Sequence, residues 1–127
     1  VVDDEPGMRR LLTRLLSARG YTVLEADSGP AAVAVMETAA PQVELVVTDI
    51  VMPGMSGRRL AAEIERRWPR VRLLFVTGHG QSAHPGSNER MSGIPVVTKP
   101  FTSARMATAV RNILDCAPPS APAPASH

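Results

Sequence analysis

The chain has one cysteine, one lysine, no clustered excess of charge and no long apolar run, and each shortage removes a class of explanation. Cys116 cannot pair within the chain, which fits a reducing compartment such as the cytoplasm. Fourteen basic against twelve acidic residues leave a net charge of +2, too little to lay a footprint for nucleic acid. No stretch approaches the roughly twenty apolar residues of a membrane span, and no charged-then-apolar leader opens the sequence, so neither anchoring nor targeting is expected. With 127 residues and 44% hydrophobic content, one domain with a single core is expected rather than two.

What is present is a rhythm. Short β-type runs alternate with longer helical patterns from end to end, as in a parallel sheet wrapped by helices. Val1-Val2 reads as the end of a first strand, so a piece of that strand is expected upstream. Met8 to Ala18 places Leu11, Leu12, Leu15 and Leu16 on one helical face, with arginines opposite. Tyr21 to Glu25 is a second strand. Ser28-Gly29-Pro30 marks the start of an alanine-rich helix over Pro30 to Ala39, closed by Pro41. Glu44 to Thr48 is an apolar run of the kind buried on both faces, and Asp49 stands where it ends.

Beyond a loop rich in Pro and Gly, Arg58 to Trp68 spaces Leu60, Ile64 and Trp68 four apart, and Pro69 stops that helix. Val71 to Val76 and Pro95 to Thr98 supply the fourth and fifth strands, with Pro95 suggesting an edge position where a missing N–H is tolerated. Thr102 to Leu114 is the last helix. Gly78 to Gly93 holds four glycines and Pro85, so the helix expected there is short, late or irregular. Residues 117 to 127, APPSAPAPASH, cannot build a core and read as a disordered tail or linker. The fold class is therefore α/β, a doubly wound five-stranded parallel sheet over residues 1 to 116. Such sheets hold their chemistry in the crevice beyond the carboxyl ends of the strands.

Five side chains fall on that edge: Asp3 and Asp4 after the first strand, Asp49 after the third, Thr77 after the fourth and Lys99 after the fifth. Three carboxylates held close repel one another unless a cation or a proton neutralises part of their charge. A hard divalent cation suits them, and magnesium, which keeps waters and takes phosphate oxygens, could be held by Asp4, Asp49 and a backbone carbonyl. Beside such an ion Asp49 could attack phosphorus and form an aspartyl phosphate, a carboxylate nucleophile that needs no general base. Lys99, the only lysine beside thirteen arginines, offers a compact point charge for a phosphoryl oxygen, and Thr77 a hydroxyl, with Gly78 leaving room for backbone N–H groups. Each residue also has an ordinary reading. Asp3-Asp4 before Pro6 could only start a helix, Asp49 could be a turn residue, Thr77 a plain strand end and Lys99 a solvated charge. Four such coincidences at one edge are less economical than one site.

Through VVDDEP, TDIVMPGMSG, FVTGH and TKPF, from Val1 to about Cys116, the sequence resembles the receiver domains of two-component response regulators and of hybrid histidine kinases. The resemblance implies a flavodoxin-like sheet of order 2-1-3-4-5. It implies Asp49 as phosphoacceptor, Asp4 as a direct Mg²⁺ ligand, Asp3 as a ligand through water, the Val51 carbonyl as a further ligand, and Thr77 and Lys99 on the phosphoryl group. It also implies a cis peptide at Lys99-Pro100 that aims the lysine into the site. The partner would be a histidine kinase or a histidine-phosphotransfer protein, docking near Met52, Met55 and the helix carrying Leu11 to Leu16, with no direct contact to nucleic acid or membrane. The module would turn over nothing beyond its own modification.

Two departures from the family pattern stand out. Val96 occupies the place of the aromatic residue that rotates on activation, and the Gly78 to Gly93 stretch weakens the usual dimer face, which leaves homodimerisation open. Val51 and His79 lie where family members tune hydrolysis of the aspartyl phosphate, and an apolar Val51 implies slow autodephosphorylation. Two other functions stay in view. A hydrolase of the haloacid dehalogenase type also uses a strand-end aspartate, but wants a second acid two residues on, where Val51 stands. A degenerate receiver that binds protein without phosphate is the other.

Overall fold

The computed structural model describes residues 1–78, 90, 91 and 93–115. The irregular stretch with His79, Cys116 and the tail over 117–127 therefore lie outside the described residues. Within them the chain forms α1 (Pro6–Ser17), α2 (Gly29–Ala39), β1 (Leu45–Asp49), α3 (Gly57–Arg67), β2 (Arg72–Thr77), β3 (Arg90–Met91), β4 (Ile94–Thr98) and α4 (Ser103–Asp115), with a 3₁₀ turn at Ala40–Gln42.

The helices begin where their caps dictate. The Ser28 hydroxyl accepts from the Ala31 N–H at 3.2 Å, Ser56 from Arg59 at 3.2 Å and Thr102 from Arg105 at 3.0 Å, each satisfying a donor that the first turn leaves orphaned. Pro6 opens α1 without such a cap, its missing N–H being one of those orphans already. Trp68 was expected inside its helix. It is instead the residue after α3, with a non-helical φ of −135°, because the following Pro69 disfavours helical backbone before it. Pro41 does not end its helix abruptly but sits within the 3₁₀ turn.

The sheet is parallel where it carries the site. β1 pairs with β2 from Leu45↔Arg72 to Asp49↔Val76, and β2 with β4 from Phe75↔Val96 to Thr77↔Thr98. Val2 bridges in parallel to Thr48 on one side and to Ala26 on the other, which gives the expected order 2-1-3-4-5 across the sheet. The first two expected strands are nonetheless reduced to these bridges. Tyr21 to Glu25 is not a regular strand, because Val1 to Asp3 is all that lies beside it among the described residues, and a ladder needs consecutive partners. Pro95 does not close the sheet either. The short antiparallel β3 lies outside β4, with Arg90 opposite Pro95.

Two apolar clusters, one on each face, make the sandwich. Ala32 and Met36 of α2 with Leu60, Ala61 and Ile64 of α3 cover Val46, Leu73, Phe75 and Val96. Leu12, Leu15 and Leu16 of α1 with Met106 and Val110 of α4 cover Val47, Leu74, Val76 and Val97. Adjacent strand residues thus point to opposite layers, and both layers are apolar, as a doubly covered parallel sheet requires. Leu11 was placed on the inner face of α1 and is in fact 47% exposed, one position too far around the helix. Behind the bridge at Val2 the sheet stays open. A cavity of about 530 Å³ separates residues 22–24 from Leu45 and Val46, lined also by Val1, Leu16, Met36 and Val110.

Candidate functional site

Asp49 is the last residue of β1, and the elements around it fix its position through the backbone. Its N–H donates to the Val2 carbonyl at 3.1 Å, while the next residue, Ile50, donates to Val76 at 3.1 Å. The chain then turns so tightly that the Gly57 N–H reaches the Ile50 carbonyl at 2.7 Å. A Cβ on Gly57 would fall 2.0 Å from the Asp49 carbonyl oxygen, so only glycine lets α3 begin this close to the Asp49 backbone. Sequence reasoning passed over Gly57. Its position directly after a capping serine was the available signal, but nothing local reveals what the missing side chain must clear.

The paired acids arrive from the other side. Asp3 is fully buried, its N–H donating to Ala26 at 3.1 Å and its Oδ1 accepting from the Glu5 N–H at 2.9 Å. Its other oxygen, Oδ2, is buried with no hydrogen-bond partner. Burial pushes the Asp3 carboxyl above its ordinary pKa, opposed by the Glu5 N–H and helped by the neighbouring Asp49 charge. Asp4 is exposed, and carboxylate oxygens of Asp3, Asp4 and Asp49 lie within 4.8 Å of one another. Lys99 closes the ring, with Nζ 3.2 Å from Asp49 Oδ2 and 4.0 Å from Asp3 Oδ2. Its peptide to Pro100 is cis, as expected.

Four of the sequence-predicted side chains, Asp3, Asp4, Asp49 and Lys99, therefore meet in one crevice. Thr77 is brought to the same edge by its backbone, whose carbonyl accepts from the Lys99 N–H at 2.8 Å. Its hydroxyl is buried and donates to the Gly78 carbonyl at a long 3.5 Å. Val51 enters through its N–H, which donates to Asp49 Oδ1 at 3.1 Å, while its side chain is 53% exposed. Arg9 was also overlooked. It reaches from α1 to the Asp3 carbonyl at 2.8 Å and to Glu25 at 3.2 Å.

The residues fit a hard divalent cation. An unsatisfied carboxylate oxygen in a buried position is costly, and three acids face a single ammonium, so the crevice is two positive charges short, the charge of a divalent cation. All-oxygen donors with open access suit magnesium rather than zinc. Fold and site together thus define a doubly wound α/β domain with an acidic, cation-competent pocket at the strand ends and a lysine aimed at its central carboxylate.

Comparison with known proteins agrees. Residues 1–111 match the response regulator receiver domain family. The chain is 36% identical over 115 residues to the sensor kinase CckA of Brucella abortus, covering 91% of this chain and 12% of that protein. It is 31% identical over 112 residues to the transcriptional regulatory protein FixJ of Azorhizobium caulinodans, covering 87% of this chain and 52% of that one. The crystal structure of the receiver domain from the hybrid histidine kinase CckA superposes with a TM-score of 0.75 at 29% identity, covering 90% of this chain and 95% of that one. The receiver domain of NtrX from Brucella abortus gives 0.76 at 26% identity, covering 91% and 97%. The chain belongs to the response regulator receiver domain family, the phosphoacceptor module of two-component signalling. It spans between about an eighth and about half of these two curated relatives.

Proposed function

We propose that Asp49 is the phosphoacceptor, taking its phosphoryl group from a phosphohistidine of a histidine kinase or a histidine-phosphotransfer protein. The observation that carries this reading is the ammonium of Lys99 at 3.2 Å from Asp49 Oδ2, where the carboxylates of Asp3, Asp4 and Asp49 lie within 4.8 Å of one another. In the transfer a carboxylate oxygen of Asp49 forms a bond to phosphorus as the phosphorus–nitrogen bond of the donor breaks, and the imidazole leaves with the bonding pair.

Asp4, Asp49 and the Val51 carbonyl would hold Mg²⁺ directly and Asp3 through water. When bound, the cation supplies neutralisation of charge on the carboxylates and on the phosphoryl oxygens. The chain's own residues do the rest. The Val51 N–H and Lys99 hold the two oxygens of Asp49, so the nucleophile presents one orientation. Once the phosphoryl group arrives, Lys99 pairs with one of its oxygens and the Thr77 hydroxyl with another, contacts that form only then. The absence of a second acid at Val51 favours this reading over a hydrolase.

The upstream sequence would decide whether the domain closes a hybrid kinase, as the CckA likeness favours, or stands alone. The cytoplasm is the compartment that suits a module fed by a histidine kinase, and no described helix is long and apolar enough to cross a membrane. Incubation with acetyl phosphate and Mg²⁺ followed by intact-mass measurement tests the proposal. One phosphoryl adduct is expected on the wild type and none on Asp49→Ala. An unmodified wild type would instead favour a receiver that works as a phosphate-independent binding module.

A further inference from the structure

We propose that Arg9 is a positioning residue of the acidic pocket, holding the peptide between Asp3 and Asp4 so that the Asp4 carboxylate projects towards the cation; this rests on the reading of the pocket as a Mg²⁺ site. Arg9 stands in the first turns of α1, its N–H bonded to the Glu5 carbonyl at 3.0 Å. Its Nη1 donates to the Asp3 carbonyl at 2.8 Å, and its Nε donates to Glu25 Oε1 at 3.2 Å. The Asp3 carbonyl belongs to the same rigid plane as the Asp4 nitrogen, so a bond to that oxygen sets the direction in which the next residue leaves.

The two acids differ in how they are held. Asp3 is fixed by burial, by the Ala26 carbonyl and by the Glu5 N–H. Asp4 is exposed, and its carboxylate makes no hydrogen bond to a described residue. Its backbone is then the main restraint on where it points, and Arg9 is the side chain gripping that backbone. The guanidinium suits this task because its planar fork serves two acceptors from one fixed orientation, with Glu25 steadying the far side. Its 19% exposure places it against the protein rather than free in solvent.

The sign of one measurement separates this role from plain electrostatics. Removing a positive charge beside a cation site should strengthen cation binding by Coulomb's law. Losing a group that orients a ligand should weaken it, typically by about tenfold or more. Calorimetric titration of the metal-free chain with Mg²⁺ should therefore show Arg9→Ala binding about tenfold more weakly. Arg10→Ala, which removes the same charge from an exposed neighbour, should stay near the wild type. Arg9→Lys keeps the charge but not the fork and should fall between them; it also serves if Arg9→Ala does not fold. Unchanged or tighter binding in both Arg9 variants overturns the proposal. Asp4→Asn is the control for the pocket itself: if it too binds Mg²⁺ as the wild type does, the metal reading has failed and Arg9 has nothing to position.

Discussion

At the scale of single residues, the pocket works by opposing charges that the fold will not let separate. Lys99 is a compact ammonium between the carboxylates of Asp49 at 3.2 Å and Asp3 at 4.0 Å. Lys99→Ala removes the preformed donor for a phosphoryl oxygen, and phosphorylation by acetyl phosphate should slow by about 10²-fold, the usual effect of losing one such group. A rate within twofold of the wild type would show that the ammonium is not used. Gly57 makes a separate prediction. Adding one methyl there drives it into the Asp49 carbonyl, so Gly57→Ala should cost about 1–3 kcal/mol in urea unfolding and displace Asp49. Gly29→Ala meets Met55 instead, whose Sδ can swing away but whose Cβ, 2.8 Å from the added carbon, moves only with its backbone. Asp49, Asp3 and Lys99 were legible because their chemistry is written in residue type and in position after a strand. Gly57 and Arg9 were not, since their roles depend on backbone oxygens that a sequence does not place.

At the scale of elements, periodicity located the strands and helices to within a residue or two but overstated the first two strands. Apolar character over Tyr21 to Glu25 is necessary for a strand, yet pairing is a property of two segments, and here Val1 to Asp3 is the one at hand. The hydrogen bonds show how the ladder would continue. Val1 donates to Leu24 and accepts from Ala26, while Val2 accepts from Asp49 and donates to Val47. Alternate residues therefore serve opposite neighbours, and the cavity between residues 22–24 and β1 has room for more of the same. Two or three β-branched residues placed before Val1 should fill the slot and raise the melting temperature by several degrees. A charged Lys-Glu-Lys extension should not. Equal melting temperatures for the two extensions would mean that the cavity is not a strand site.

At the scale of the whole molecule, doubly wound topology explains why residues from four distant stretches meet. Every parallel strand delivers its carboxyl end to the same edge, and an apolar layer on each face keeps the strands in register. Strand order was readable only through family resemblance, because periodicity reports which residues are buried and says nothing of which strands are neighbours. Val96 illustrates the limit of such resemblance. It is buried opposite Phe75 in the core between the sheet and the helices α2 and α3, a stiff β-branched side chain at the place where the resemblance implied an aromatic one. Because the acids repel one another without a cation, Mg²⁺ should stabilise the entire domain by mass action, by about 2.7 kcal/mol at a hundred times its dissociation constant. Thermal unfolding across a Mg²⁺ series checks this, and Asp4→Asn should flatten the response. A melting temperature indifferent to Mg²⁺ in the wild type would deny the cation a place in the pocket.

The proposed phosphoacceptor is a single side chain, Asp49. After phosphorylation with acetyl phosphate and Mg²⁺, borohydride reduces an aspartyl phosphate to homoserine, and peptide mass mapping then locates the changed residue. Homoserine at position 49 and nowhere else is the predicted result. Homoserine at position 3 or 4, or an intact aspartate at 49 in a chain that has taken up phosphate, would contradict the account.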